Sequence, residues 1–115
     1  MIFQYRDGIY SLARITGPTH NLLRIKLADE NVGKVAVTAL SEEPPINITL
    51  DEVHRQVTEG IEYIKANRQS GFYVSEVQYV PSDTFSPTVY RNLIIEIAKR
   101  IEKIALSDSS QSHIT

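Results

Sequence analysis

Histidine is the side chain best suited to act as a general base or metal ligand near neutral pH, and this chain holds three, His20, His54 and His113. His20 sits in the stretch Thr16-Gly17-Pro18-Thr19-His20-Asn21, where a rigid turn could present it to a cleft. His54 follows Asp51 by three residues in a helical pattern, which puts both on roughly one face at the border of an apolar stripe. His113 lies among small polar residues in the last segment. No HxH, HExxH or similar ligand spacing joins them, so the sequence supports no metal site. A turn histidine at 20 and a boundary histidine at 54 are the plainer readings and outweigh catalysis.

A second cluster, Ser82-Asp83-Thr84-Phe85-Ser86-Pro87, precedes a helical pattern and gathers hydroxyls and a carboxylate near the positive end of a helix dipole. Such an end can hold an anion. Pro87 removes one donor, however, Asp83 would repel phosphate, and these are ordinary capping residues. Capping is the better reading. The rival is a small-ligand or minor enzymatic pocket between sheet and helices, with His20, His54, Asp83 and Thr84 as its binding candidates. GxGxxG, GxxxxGK[ST] and GxSxG are all missing, and with them the support for dinucleotide, P-loop and α/β-hydrolase chemistry. No cysteine is present, which excludes disulfides, thiolate zinc sites, iron-sulfur clusters and cysteine nucleophiles. No cofactor is implied, and no catalytic residue is assigned.

The elements that must position these residues follow from hydrophobic periodicity. Short runs rich in Ile, Val, Tyr and Leu, separated by turn residues, fill the first forty positions. They predict strands over Met1 to Arg6, Ile9 to Ile15, Leu22 to Ala28 and Gly33 to Leu40, arranged as an antiparallel meander. Asp7-Gly8 between Tyr5 and Tyr10 matches a two-residue type I′ hairpin loop, whose central residues must tolerate positive φ. Pro44-Pro45 forces a surface connection. Thr49 with Glu52 forms a capping box, and Leu50, Val53, Val57, Ile61 and Ile64 recur at helical spacing. The helix they predict, to about Asn67, buries one narrow stripe and stops at Gln69-Ser70-Gly71. Gly60 inside it implies the close approach of another element or of a ligand, since glycine costs ~0.8–1 kcal/mol there relative to Ala.

Phe72 to Val80 reads as a fifth strand, with Tyr73 and Tyr79 on one side as a conceivable stacking pair. Ser86 as N-cap and Pro87 at the first helical position open a second helix to about Leu106. Its apolar residues spread over an arc of ~180°, with Ile95 and Leu106 outside that arc and therefore candidates for meeting a partner. Residues 107–115 offer little apolar surface and read as a flexible tail after a single domain of residues 1–106.

The order ββββαβα predicts an α+β two-layer sandwich, a mainly antiparallel sheet with two helices packed on one face. With 115 residues, 42% hydrophobic and 23% charged, the chain is of single-domain size and of ordinary globular composition. A formal net charge of -2 argues against a nucleic-acid partner. No run approaches a membrane span and no export-signal pattern opens the chain, so a cytoplasmic protein without a membrane partner is expected. The strands carry apolar groups on both faces, and the second face needs a cover. A small homodimeric interaction or accessory domain without catalysis is therefore expected, with an unidentified protein as a further conceivable partner. Tyr10 and Leu12 on the sheet, or Ile95 and Leu106 on the helix, are the candidate interface residues.

Overall fold

The computed structural model describes residues 1–17, 19–67 and 72–114, except for the side chains of 106–114. Strands β1 (Ile2–Arg6) and β2 (Ile9–Thr16) pair antiparallel with Arg6 opposite Ile9, so Asp7 and Gly8 alone make the turn. Their φ angles of 53° and 80° are those a type I′ turn needs, and the short polar Asp tolerates the first. Strand β3 (Thr19–Ala28) pairs antiparallel with β2 and continues the meander.

The meander ends there, at three strands. β4 covers only Ala36–Ala39, and the sheet order is β1-β2-β3-β5-β4. β5 (Tyr73–Tyr79) inserts between β3, to which it is antiparallel, and β4, to which it is parallel. Helix α1 (Leu50–Asn67) is thus the crossover of a βαβ unit, since a parallel neighbour cannot be reached by a tight turn. A fourth antiparallel strand was expected because the apolar run at 35–40 reports burial and not the identity of its neighbour.

A bulge at Ser75 alters a second expectation. Lys26 pairs with Glu76 but Leu27 pairs with Val74, leaving Ser75 without an opposite number, and its hydroxyl donates to the Lys26 carbonyl at 3.2 Å. Val74, Val77 and Tyr79 consequently share the core face, and Tyr73 falls on the opposite one. The stacking pair of Tyr73 and Tyr79 does not exist.

Thr49 caps α1 through its hydroxyl, which accepts the Glu52 N–H at 3.3 Å. The reciprocal half of the capping box is replaced, because the Glu52 carboxylate accepts from Arg55 and Gln56 instead. Ile48 and Val53, both buried, occupy the positions of a hydrophobic staple across this cap. The stop expected at Gln69-Ser70-Gly71 lies outside the described residues.

Helix α2 (Val89–Ile114) differs from expectation at both ends. It begins three residues past Ser86, with the Thr88 carbonyl accepting the Asn92 N–H, while Ser86 Oγ takes only the Thr88 N–H at 3.4 Å. It also continues through 107–114, where a tail was expected. Ser and Asp are only mildly unfavourable in a helix, and an existing helix extends at low cost.

The core lies between the sheet and both helices, with Leu12, Leu23, Ile25 and Val77 from the strands, Val53, Val57 and Ile64 from α1, and Tyr90, Leu93, Ile94 and Ile97 from α2. Gly60 marks the helix crossing. A Cβ there would overlap Ile94 Cγ2 and come within 3.1 Å of the Arg91 carbonyl oxygen, so the approach that removes the side chain is that of α2. Among the described residues no helix is long and apolar enough to cross a membrane.

Candidate functional site

β5 ends at Tyr79 while β3 begins at Thr19, so the first residues of β3 have no strand beside them on that side. The loop after Pro81 takes the place of one. The Asp83 carboxylate accepts the Leu22 N–H at 2.8 Å, the Thr84 N–H donates to the His20 carbonyl at 3.2 Å, and Thr84 Oγ1 accepts the His20 N–H at 3.4 Å. Asn21 lies 6% exposed beneath this loop, and its Nδ2 donates to the Thr84 carbonyl at 2.7 Å and to the Tyr90 hydroxyl at 3.4 Å. Four polar groups thereby tie β3 to the entry of α2.

His20 Nδ1 stands 3.4 Å from Asp83 Oδ1, with the imidazole largely exposed and the carboxylate nearly buried. Burial raises the Asp83 pKa, while the Leu22 amide and His20 pull it back. Burial likewise pushes the Tyr90 phenol well above its ordinary value, only partly opposed by the Asn21 hydrogen bond. Beside the His20–Asp83 pair lies an open hollow of about 330 Å³ lined by Ala13, Ile15, Leu22, Val80 and Ser82. Its walls are mostly apolar, and the adjacent His20 and Asp83 side chains at the rim could orient a polar group of a molecule bound there.

The four pocket candidates do not form one site. His20, Asp83 and Thr84 converge, but His54 faces a separate hollow with Lys34, Val35, Val37, Leu50 and Asp51, between α1 and β4. The βαβ crossover carries α1 to the far edge of the sheet from β2, which no spacing in the sequence reports. Among the described residues no cluster of three or more His, Asp or Glu is arranged to hold a metal ion. His113 lies outside the described side chains.

The interface candidates are redistributed as well. Leu12 is 0% exposed and Tyr10 packs on the core, its ring 4.4 Å from that of Tyr5. Both lie on the helix-covered face, so neither can meet a partner as an exposed sheet residue. Ile95 is also buried and belongs to the core cluster, α2 packing against both the sheet and α1. Leu106 lies outside the described side chains. The uncovered face instead presents Ile2, Ala13, Ile15 and Leu22 at one end, with Ile2 53% and Ile15 61% exposed. Arg24, Lys26, Glu76 and Gln78 occupy the other end, where Lys26 pairs with Glu76 at 3.5 Å. Thr38 and Gln78 donate to the Glu76 carboxylate and, with Lys26, hold its pKa below the usual value.

Gln56 is the polar residue that sequence reasoning missed. It is 0% exposed and joins the two helices: its Oε1 accepts the Tyr90 N–H at 2.8 Å, and its Nε2 donates to the Ser86 carbonyl at 2.7 Å and to Glu52 at 3.1 Å. The cap of α2 therefore comes from α1. The available signal was its place four residues before Gly60 and eight before Ile64, on one row of the helix. No family model, no curated protein and no solved structure matches this chain.

Proposed function

We propose that the protein is an interaction domain without catalysis that pairs with a second copy of itself through the apolar end of its uncovered sheet face. The observation that carries this reading is the exposure of Ile2 and Ile15 beside Ala13, Leu22 and Val80, on a sheet whose two helices cover only the other side. Isologous pairing lets one apolar patch cover its own copy, and it is the commonest assembly of soluble chains. The charged half of the same face would remain at the rim, where ion pairs such as Lys26–Glu76 need not be desolvated.

Light scattering after size exclusion, at tens of micromolar chain, tests this. The wild-type protein should elute as a dimer, and Ile2→Glu with Ile15→Glu should elute as a folded monomer, since both side chains are already exposed in one copy. A monomeric wild type, or a double variant that remains dimeric, would refute it. The small-ligand reading is favoured by one observation, the His20–Asp83 pair at the rim of the hollow. It gains weight with a monomeric wild type, in which that hollow stays open. It then requires that fragment-binding NMR place a saturable site at His20, Leu22 and Val80.

A further inference from the structure

The two edges of the sheet are finished differently. At β1, Arg100 from α2 lies over the Phe3 ring at 5.6 Å and closes the space between edge and helix. At β4 that space is open: two adjoining hollows of about 490 and 440 Å³ run between the strand and α1, sharing Lys34, Val35 and His54. Among the described residues, the backbone of this edge is also unpaired on its outer side. The Leu40 N–H donates to the Tyr79 carbonyl at 2.8 Å, so by strand alternation Ala36 and Thr38 also point at β5, and Val37 and Ala39 direct N–H and C=O outward.

The charges along the groove are polarised. Lys34 and Lys65 flank its Gly33 end and make no ion pair among the described residues; with Glu62 beside them, that end carries one net positive charge. Asp51 stands at the other end, beside the 45% exposed Leu50.

We propose that the β4–α1 groove takes an extended segment of a partner protein as a sixth strand, antiparallel to β4. Outward N–H and C=O groups are satisfied by a strand and by little else of comparable shape. Alternate side chains of that strand would point into the hollows against Val35, Val37 and Leu50, which selects apolar residues at every second position. The antiparallel direction sets the carboxyl-terminal end of the segment against Lys34 and Lys65 and its amino-terminal end against Asp51. The partner is thus a segment of alternating apolar residues, basic before and acidic after. This surface lies apart from the uncovered sheet face and does not depend on dimer formation.

Fluorescence anisotropy with a labelled octapeptide of sequence Lys-Thr-Val-Thr-Val-Thr-Glu-Glu tests the proposal, with the oligomeric state measured on the same samples. Saturable binding is expected below about 1 mM. Charge reversal by Lys34→Glu with Lys65→Glu should weaken it by about tenfold. The same peptide N-methylated at alternate amides should not bind, a control that leaves the protein untouched. Ala39→Pro, which removes an outward N–H while sparing the ladder to β5, should also weaken binding, with folding followed by circular dichroism. Absence of saturable binding up to that concentration, or binding indifferent to N-methylation or charge reversal, would overturn the proposal. The dimer state of the same samples reports separately on self-association.

Discussion

Replacing Gln56 by Met tests whether α2 is capped from α1. Methionine keeps the length of the side chain but can neither accept from Tyr90 N–H nor donate to the Ser86 carbonyl, the bonds of 2.8 and 2.7 Å that Gln56 makes. Tyr90 is fully buried, so its N–H would lose its acceptor where water cannot replace it, at about 1–3 kcal/mol. The half-buried Ser86 carbonyl can turn to water, adding about 0.5–1 kcal/mol. Burial of the apolar thioether returns about 1 kcal/mol. The net loss is about 2 kcal/mol, a fall in Tm of about 8 °C for a chain of this size. Thermal unfolding followed by circular dichroism, with urea titration alongside, measures it. Gln56→Glu refines the test, because it keeps an acceptor for Tyr90 but sets a second carboxylate against Glu52, so its loss should shrink as pH falls toward about 4. A Gln56→Met protein within ~0.5 kcal/mol of wild type would refute the reasoning, since no buried donor could then have been left unpaired.

Gly60→Ala should lower stability by about 1 kcal/mol, the helix-propensity gain of ~1 kcal/mol being outweighed by overlap with the rigid, buried Ile94. In an Ile94→Ala background the same change should become neutral or stabilising, and a double-mutant cycle without such coupling would count against the helix crossing described. Gly8→Val should cost at least ~1 kcal/mol, because a β-branched residue resists the φ of 80° at the hairpin tip; an unaltered melting temperature would oppose it. Two carboxylates should show opposite pH behaviour. The lowered pKa of Glu52, held down first by Arg55 and then by Gln56, adds stability above its unfolded value that is lost as pH falls through the folded one. The raised pKa of Asp83 makes the protein lose stability as pH climbs from the unfolded value through the folded one. Glu52→Gln should therefore cost more at pH 7 than at about pH 3, and Asp83→Asn the reverse, as urea titrations at the two values would show.

Local chemistry was legible wherever it is decided by neighbours in the chain. Asp7-Gly8 supplied the positive φ of its turn, Thr49 the cap of α1, and the 3.6-residue stripe the buried side of that helix, all from interactions within a few residues. The α+β class followed from the order of those elements. His20 and Asp83 were each legible as residue types, but 63 positions separate them, and only the way β5 stops short of the start of β3 brings them together.

Tertiary structure alone decided which face of β2 is covered. Tyr10, Leu12, Ile9 and Ile15 form two comparably apolar sets, and alternation reports two faces without naming the one that meets a helix. Pairing decided that β4 lies beside β5, and the single extra residue at Ser75 put Tyr73 and Tyr79 on opposite faces. Gln56 is the clearest case: its amide serves the first turn of a helix 34 residues away, and only the crossing of α1 and α2 at Gly60 makes a polar residue the right one there. Propensity and capping act over one or two turns of chain and are written locally. Burial, register and long-range hydrogen bonds belong to pairs of elements, and no single segment carries them.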